Sequence, residues 1–135
     1  MPKIFTYSKE EKLKSRKLLE QLFKNGKNFN LFPVKVFYMH GDERSDFPVK
    51  AGVGAGARNF KKAVDRNRIK RLLREAYRTE KNILHEYLEQ QNMQVIFFLL
   101  YVDKVMPGYA EIKNKMPLIL ARLIKELNEN IPANT

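Results

Sequence analysis

The chain has 135 residues, 44% of them hydrophobic, contains no cysteine and carries a formal net charge of +11. This length and composition indicate one globular domain rather than a disordered chain, and the lack of cysteine excludes disulfides, thiol nucleophiles and cysteine-based zinc sites. No apolar run is long enough to span a bilayer, and the first residues lack the apolar core of a signal peptide, so we expect a cytoplasmic protein with no membrane partner.

The first half of the chain predicts one helix and two strands. Leucines at helical spacing, followed by Gly26, predict a helix from about Ser15 to Asn25. Leu31 to Met39 alternates as a strand does, with Lys35 and Phe37 on one face. A polar loop containing His40 follows, and Phe47 to Gly56 predicts a second strand. We expect these two strands to form an antiparallel hairpin.

The segment from Arg58 to Lys81 holds ten Lys or Arg residues against three acids, a net charge of +7. On a helix, it forms an apolar stripe of the width that a core-facing helix needs. The stripe consists of Ile69, Leu72, Leu73, Ala76 and Tyr77. The opposite face, called the cationic strip below, consists of Asn67, Lys70, Arg71, Arg74 and Arg78. Arg66 and Lys81 flank the strip, and Arg68 projects from its far edge toward an intramolecular partner or a separate contact.

A solvated face is the simplest explanation of a charged helix surface. Such faces usually mix charge signs, because oppositely charged i,i+4 pairs stabilise the helix. Here Arg66, Lys70, Arg74 and Arg78 are successive i+4 neighbours of like charge. Their repulsion favours a surface that binds a polyanion, with nucleic acid as the first choice.

The second half of the chain predicts helices around one buried strand. The basic helix continues to about Gln91, either unbroken or as two helices. Val95 to Val102 is apolar on both faces, as a central strand is, and Ile112 to Leu127 predicts a terminal helix with a kink or restart at Pro117. The order is αββαβα with small additions. We expect a single nucleic-acid-binding domain over residues 1–135, with loose termini at 1–10 and 129–135.

Catalytic patterns are scarce in the sequence. His40 and His85 lack a nucleophile or metal-ligand spacing nearby and are expected to be surface histidines. The glycines from Gly52 to Gly56 do not have the spacing of a nucleotide-binding loop. They are better explained as a strand end to which another backbone comes close. The dispersed acids offer no two-metal carboxylate cage, so we expect no catalytic or metal site in the protein.

The run from Arg66 to Tyr77, RNRIKRLLREAY, closely resembles the RNR motif of the protein component of bacterial ribonuclease P. The resemblance extends from about Lys12 to Leu127. It implies an α+β fold: a single-domain α/β sandwich of αβββαβα-like order with a left-handed crossover, similar to a ribosomal protein S5 domain. It also implies a non-catalytic subunit of an endoribonuclease, in which the RNA subunit cuts precursor tRNA with Mg²⁺, held mainly by RNA, and releases the mature 5′ end.

The resemblance also implies which residues contact the two RNA partners, the ribonuclease P RNA and precursor tRNA. The expected RNA-binding residues are Arg58, Lys61, Lys62, Arg66, Asn67, Arg68, Lys70, Arg71, Arg74 and Arg78. The expected cleft for the 5′ leader of precursor tRNA contains Phe23, Phe37, Lys12 and Lys14. From the residues alone, each phenylalanine is as well explained by a core position as by a cleft position. Asn67 equally suits a helix cap, a phosphate contact or a place near a metal.

The chain departs from the family pattern at three places. Gly54 to Ala57 stands where the family has a serine-rich strand followed by paired lysines, and Leu19 stands where a phenylalanine is frequent. The segment from Thr79 to Gln94 is longer than usual. Three alternatives remain open: a general RNA-binding or ribosomal-type protein, a free-standing nuclease, and a DNA-binding protein. The last is disfavoured because a strand and loop, rather than a helix and short turn, precede the basic helix.

Overall fold

The computed structural model describes residues 16–41 and 49–129. In these two ranges the chain forms α1 (Arg16–Asn25), β1 (Lys27–Leu31), β2 (Val34–His40), β3 (Val49–Ala55), α2 (Ala63–Glu80), α3 (Asn82–Gln91), β4 (Val95–Tyr101) and α4 (Tyr109–Glu129). The predicted mixed α/β class is confirmed. The expectation of loose termini lies outside the described residues, except that α4 includes Glu129.

The described strands form one four-stranded sheet in the order β1-β2-β4-β3. β2 pairs antiparallel with β1 and with β4, whereas β3 pairs parallel with β4. The predicted antiparallel hairpin of β2 and β3 is therefore wrong, because β4 lies between them. A strand buried on both faces suits the middle of a sheet, and the sequence of β4 is apolar on both faces. Parallel pairing of β3 and β4 needs a crossover, which α2 and α3 supply; its left-handed sense stays a prediction.

β1 is a strand that the sequence pattern did not reveal. Its sequence, KNFNL, is mostly polar, and only Phe29 in it is buried. The predicted strand from Leu31 to Met39 is divided at Phe32 and Pro33, which form the turn between β1 and β2. Proline lacks the backbone N–H that a ladder needs, so this division has a simple cause. At its other end β2 extends one residue beyond the predicted strand, so His40, predicted in the loop, is the last residue of β2.

The main core lies between one face of the sheet and the helices α2, α3 and α4. Four residues of the predicted stripe of α2, Ile69, Leu73, Ala76 and Tyr77, are buried there, and Leu72 is half-buried. From β4, the residues facing this core are Val95, Phe97, Leu99 and Tyr101. The predicted helix orientation is thus confirmed, since the apolar stripe packs inward and the opposite side faces outward.

A second, smaller core lies on the other face of the sheet, where α1 packs. Leu22 of α1 and Ile96 of β4 are buried together, with Phe37 and Phe98 packed at their edge. β4 is therefore covered on both sides, as predicted. The chain leaves α1 through Gly26, whose N–H donates to the carbonyl of Leu22 at 2.9 Å. An added Cβ at this glycine would press on that same carbonyl, so the helix end needs glycine.

The structure shows where the remaining helices are divided. The basic helix breaks at the buried Lys81, between α2 and α3, so the second of the two predicted forms is present. α3 ends at Asn92, whose φ of 51° is the left-handed cap conformation. α4 runs through Pro117 without a restart. The long segment from Thr79 to Gln94 is thus the end of α2 and a short packed helix.

Candidate nucleic-acid interface

The cationic strip lies on the outer side of α2. Asn67, Arg71 and Arg74 are exposed, Lys70 and Arg78 are half-buried, and the neighbouring Arg68 is exposed. This arrangement follows from the helical period, because burial of Ile69 and Leu73 fixes the rotation of the helix and turns the strip outward. The strip therefore presents guanidinium and ammonium groups to solvent, where they can meet an anionic partner.

Arg78, at the end of the strip, has a carboxylate partner. Its Nε donates to Oε2 of Glu75 at 3.1 Å, and its Nη2 donates to the other carboxylate oxygen. The hydrogen bond from Arg78 lowers the pKa of Glu75, because it stabilises the charged form of the carboxylate. The positive end of the strip is consequently partly neutralised at Arg78, and the field is concentrated around Lys70, Arg71 and Arg74.

Arg66 makes two backbone contacts at the start of α2. Its Nη1 donates to the carbonyl oxygen of Phe60 at 2.7 Å and to that of Lys61 at 2.8 Å. The side chain therefore fixes the loop that precedes the helix. Arg66 is half-buried, and its guanidinium is shared between this loop and the surface.

The loop from Gly56 to Lys62 leaves the sheet where β3 and β4 end. The register pairs Ala55 with Tyr101, which places the ends of these two strands side by side. The side-chain amide of Asn59 donates to the carbonyl of Val102 at 3.1 Å, and the buried ring of Phe60 lies 6.1 Å from that of Tyr101. These contacts hold the loop against the sheet, while its cations Arg58, Lys61 and Lys62 are exposed. The loop and the start of α2 thus form one basic surface.

Phe23 and Phe37, both predicted for the leader cleft, meet where α1 packs on the smaller-core face of the sheet, and this region is called the cleft below. Phe23 of α1 is 48% exposed, and its ring meets that of Phe37 at 5.0 Å with an interplanar angle of 82°. The Nζ of Lys35 lies 5.2 Å from the centre of the Phe37 ring. Phe23 is largely outside the cores, whereas Phe37 packs against the smaller core of Leu22 and Ile96, so a role in leader binding stays a prediction for both. Rings next to a cation, partly open to solvent, are suited to stacking with nucleobases.

The structure adds three residues to this cleft that sequence reasoning missed. The ring of Phe98 lies 5.2 Å from that of Phe23, and Asn28 and Asn30 of β1 pair with Phe37 and Lys35 on the same face. No periodic signal separates Phe97, in the main core, from Phe98, in the cleft, until the sheet pairing is known. Lys12 and Lys14, also predicted for the cleft, lie outside the described residues.

The two histidines are placed differently from the surface positions expected for them. Both are half-buried, and the hydroxyl of the buried Tyr77 lies 3.3 Å from Nε2 of His85. This contact joins α2 to α3 and is structural. Across residues 16–41 and 49–129, no cluster of three or more His, Asp or Glu side chains could hold a metal ion. In the same ranges no helix is long and apolar enough to cross a membrane.

The fold, the cationic strip and the aromatic cleft together are typical of small basic α/β proteins that bind nucleic acid. The model of the Ribonuclease P family matches residues 7–124, so the chain belongs to this family. Family membership links the chain to tRNA processing and to a ribonuclease that works with an RNA subunit.

Individual relatives agree with the family assignment. The chain is 32% identical to the ribonuclease P protein component of Porphyromonas gingivalis over 122 residues, which cover 90% of this chain and 89% of that protein. It is 40% identical to the ribonuclease P protein component of Chlorobium phaeobacteroides over 79 residues, which cover 56% and 54% of the two chains. The structure of the Staphylococcus aureus RNase P protein superposes with a TM-score of 0.64 at 17% identity, over 84% of this chain and 94% of that one. That likeness confirms the fold.

Proposed function

We propose that this chain is the protein subunit of a ribonuclease P ribonucleoprotein. It binds the catalytic RNA and the 5′ leader of precursor tRNA and so promotes removal of the leader at the mature tRNA 5′ end. The RNA subunit supplies the chemistry with Mg²⁺, and no step of the proposal uses a metal ligand from the protein. The observation that carries the proposal is the presence, in one member of this family, of both an outward cationic strip and a separate aromatic cleft.

The cationic strip is the proposed surface for the catalytic RNA. Arginine suits this role because its planar guanidinium bridges two phosphate oxygens. Arg71 and Arg74 are exposed one turn apart, and the loop cations Arg58 and Lys61 extend the same charge toward the sheet. Each phosphate that such a group neutralises adds roughly 0.7 to 0.9 to the slope of log affinity against log salt. Binding through this surface is therefore strong at low salt and largely independent of base sequence.

The cleft beside α1 is the proposed surface for the leader. An unpaired segment offers base faces, which stack on aromatic rings, and phosphates, which attract lysine. Phe23 and Phe37 supply the rings, and Lys35 supplies a cation within the same cleft. A duplex has its bases already stacked, so the cleft favours the single-stranded leader.

Reconstitution with a bacterial ribonuclease P RNA and a precursor tRNA tests the proposal. We expect the protein to restore cleavage at the mature 5′ end at low Mg²⁺. The Arg71→Ala, Arg74→Ala double variant is expected to lose this stimulation, and its salt slope for RNA-subunit binding to fall by roughly 1.4 to 1.8 if each arginine neutralises one phosphate. Lys125→Ala, which removes one exposed cation from α4, is the control and should change neither.

Three results would contradict the proposal. Stimulation that survives loss of both arginines would show that the strip is not the interface. Tight RNA binding without any cleavage at the mature end would indicate a general RNA-binding protein instead. Cleavage by the protein without the RNA subunit would indicate a free-standing nuclease.

A further inference from the structure

A neighbouring aromatic ring occupies the space in which a side chain at Gly54 of β3 would lie. A Cβ added at this residue would lie 2.6 Å from Cζ and 3.0 Å from Cε1 of Phe98. No described glycine has a positive φ, so backbone conformation does not require glycine here. The ring of Phe98 therefore extends sideways over β3, into the volume that a side chain of Gly54 would fill.

Phe98 is held from its other side by α1. Its ring meets that of Phe23 edge to face, at 5.2 Å and 81°, and Phe23 meets Phe37 in the same manner at 5.0 Å and 82°. The register places Phe98 opposite Phe37 on β2 and opposite Gly52 on β3. Phe98 thus lies between Phe37 and β3 on the α1 side of the sheet, and Gly54, which is buried, has no side chain that would compete with its ring.

We propose that Phe98 is a third base-stacking ring of the cleft and that Gly54 is the positioning residue that sets where this ring lies. The inference rests on the proposed function, because it assumes that the cleft takes an unpaired RNA segment. The small residue at position 54 makes room for the aromatic ring at position 98.

The position of the ring determines which part of the cleft a base can enter. Lys35, Leu100 and Gly54 are paired across the sheet on the same face as Phe98. They form the next row of residues toward the loop that begins at Gly56. A base stacked on Phe98 would lie between this row and Phe23, with its phosphate near the end of the sheet that carries Arg58. If the ring of Phe98 were displaced toward Phe23, a base could no longer enter this position.

The test compares ring removal with ring displacement in the holoenzyme formed with a ribonuclease P RNA. Phe98→Leu is expected to weaken affinity for precursor tRNA with a long leader by about 5- to 20-fold, the lower part of the range for loss of one stacked base. Gly54→Ala should give a similar loss, because its methyl group displaces the ring. Phe98→Tyr, which keeps the ring, should bind as the original protein does.

Two controls separate a local effect from loss of structure. Gly108→Ala adds the same methyl group where no atom lies within 4 Å, at a residue outside the loop, the strip and the cleft, and should be neutral. Adding Gly54→Ala to Phe98→Leu should cost little further affinity, since no ring remains to be displaced. All variants should bind the RNA subunit, and a substrate with a one-nucleotide leader, as tightly as the original protein.

The possible results are distinct. Unchanged long-leader affinity in Phe98→Leu would overturn the stacking role of Phe98. Fully additive losses in the double variant would overturn the link from Gly54 to Phe98. If the original protein does not distinguish long from one-nucleotide leaders, the proposed function of the cleft itself fails.

Discussion

The cations of the RNR-like motif are chemically alike but differ in what their side chains contact. Arg66 donates to two carbonyl oxygens of the preceding loop, Arg78 is paired with Glu75, and Arg71 projects into solvent. The helical period predicted which of them face outward. It could not predict the contacts of Arg66, because these depend on a loop whose path is fixed by Asn59 and Phe60 against the sheet.

At residue scale, we predict that Arg66 stabilises the fold whereas Arg71 does not. Arg66→Ala removes hydrogen bonds to the carbonyls of Phe60 and Lys61, and we expect the free energy of unfolding to fall by about 1 to 2 kcal/mol. Arg71→Ala, the matched control, should stay within about 0.5 kcal/mol of the original protein. Urea denaturation measures both values. Equal stability of the two variants would mean that the contacts of Arg66 contribute nothing net.

At the scale of elements, the sequence predicted faces better than pairings. The stripe of α2 and the two-sided burial of β4 follow from periodicity within a single segment, and both are confirmed. The partner of β3 depends on competition among strands that are distant in sequence. β1 has one buried residue and was missed for that reason, although its pairing with β2 builds one side of the cleft. Phe98 could not be assigned to the cleft, because β4 is apolar on both faces and only the sheet pairing shows which face each residue occupies.

The two leucines next to each other on α2 provide a test of the element that carries the strip. Leu73 is fully buried in the main core, whereas Leu72 is half-buried. We expect Leu73→Ala to lower the free energy of unfolding by about 2 to 5 kcal/mol, because the change removes transfer free energy and leaves a cavity. The same change at Leu72 should cost less. Denaturant unfolding of both variants measures the difference, and a larger loss at Leu72 would contradict the observed rotation of α2.

At the scale of the whole molecule, two tyrosines anchor α4 and the loop before it to opposite ends of the sheet. The hydroxyl of Tyr38 donates to Oε2 of Glu126 at 3.2 Å, and that of Tyr101 donates to the carbonyl of Val105 at 2.6 Å. Burial, reinforced by Glu126, raises the pKa of Tyr38 from 10.0 to about 12. Burial, reinforced by Asp103, raises the pKa of Tyr101 from 10.0 to about 12. Both contacts therefore require the neutral phenol.

These shifts predict how stability changes at alkaline pH. Above pH 10 the unfolded chain releases the two phenolic protons, while the folded chain keeps them until about pH 12. The unfolded state then binds fewer protons, so the free energy of unfolding decreases as pH rises through this window, by up to about 1.4 kcal/mol per pH unit for each tyrosine. The stabilisation is fully present below pH 10. Urea unfolding at a series of pH values measures the slope for the original protein and for the Tyr38→Phe, Tyr101→Phe double variant. The variant should show a shallower decline, because phenylalanine has no proton to release; parallel curves would show that the two phenols titrate alike in both states.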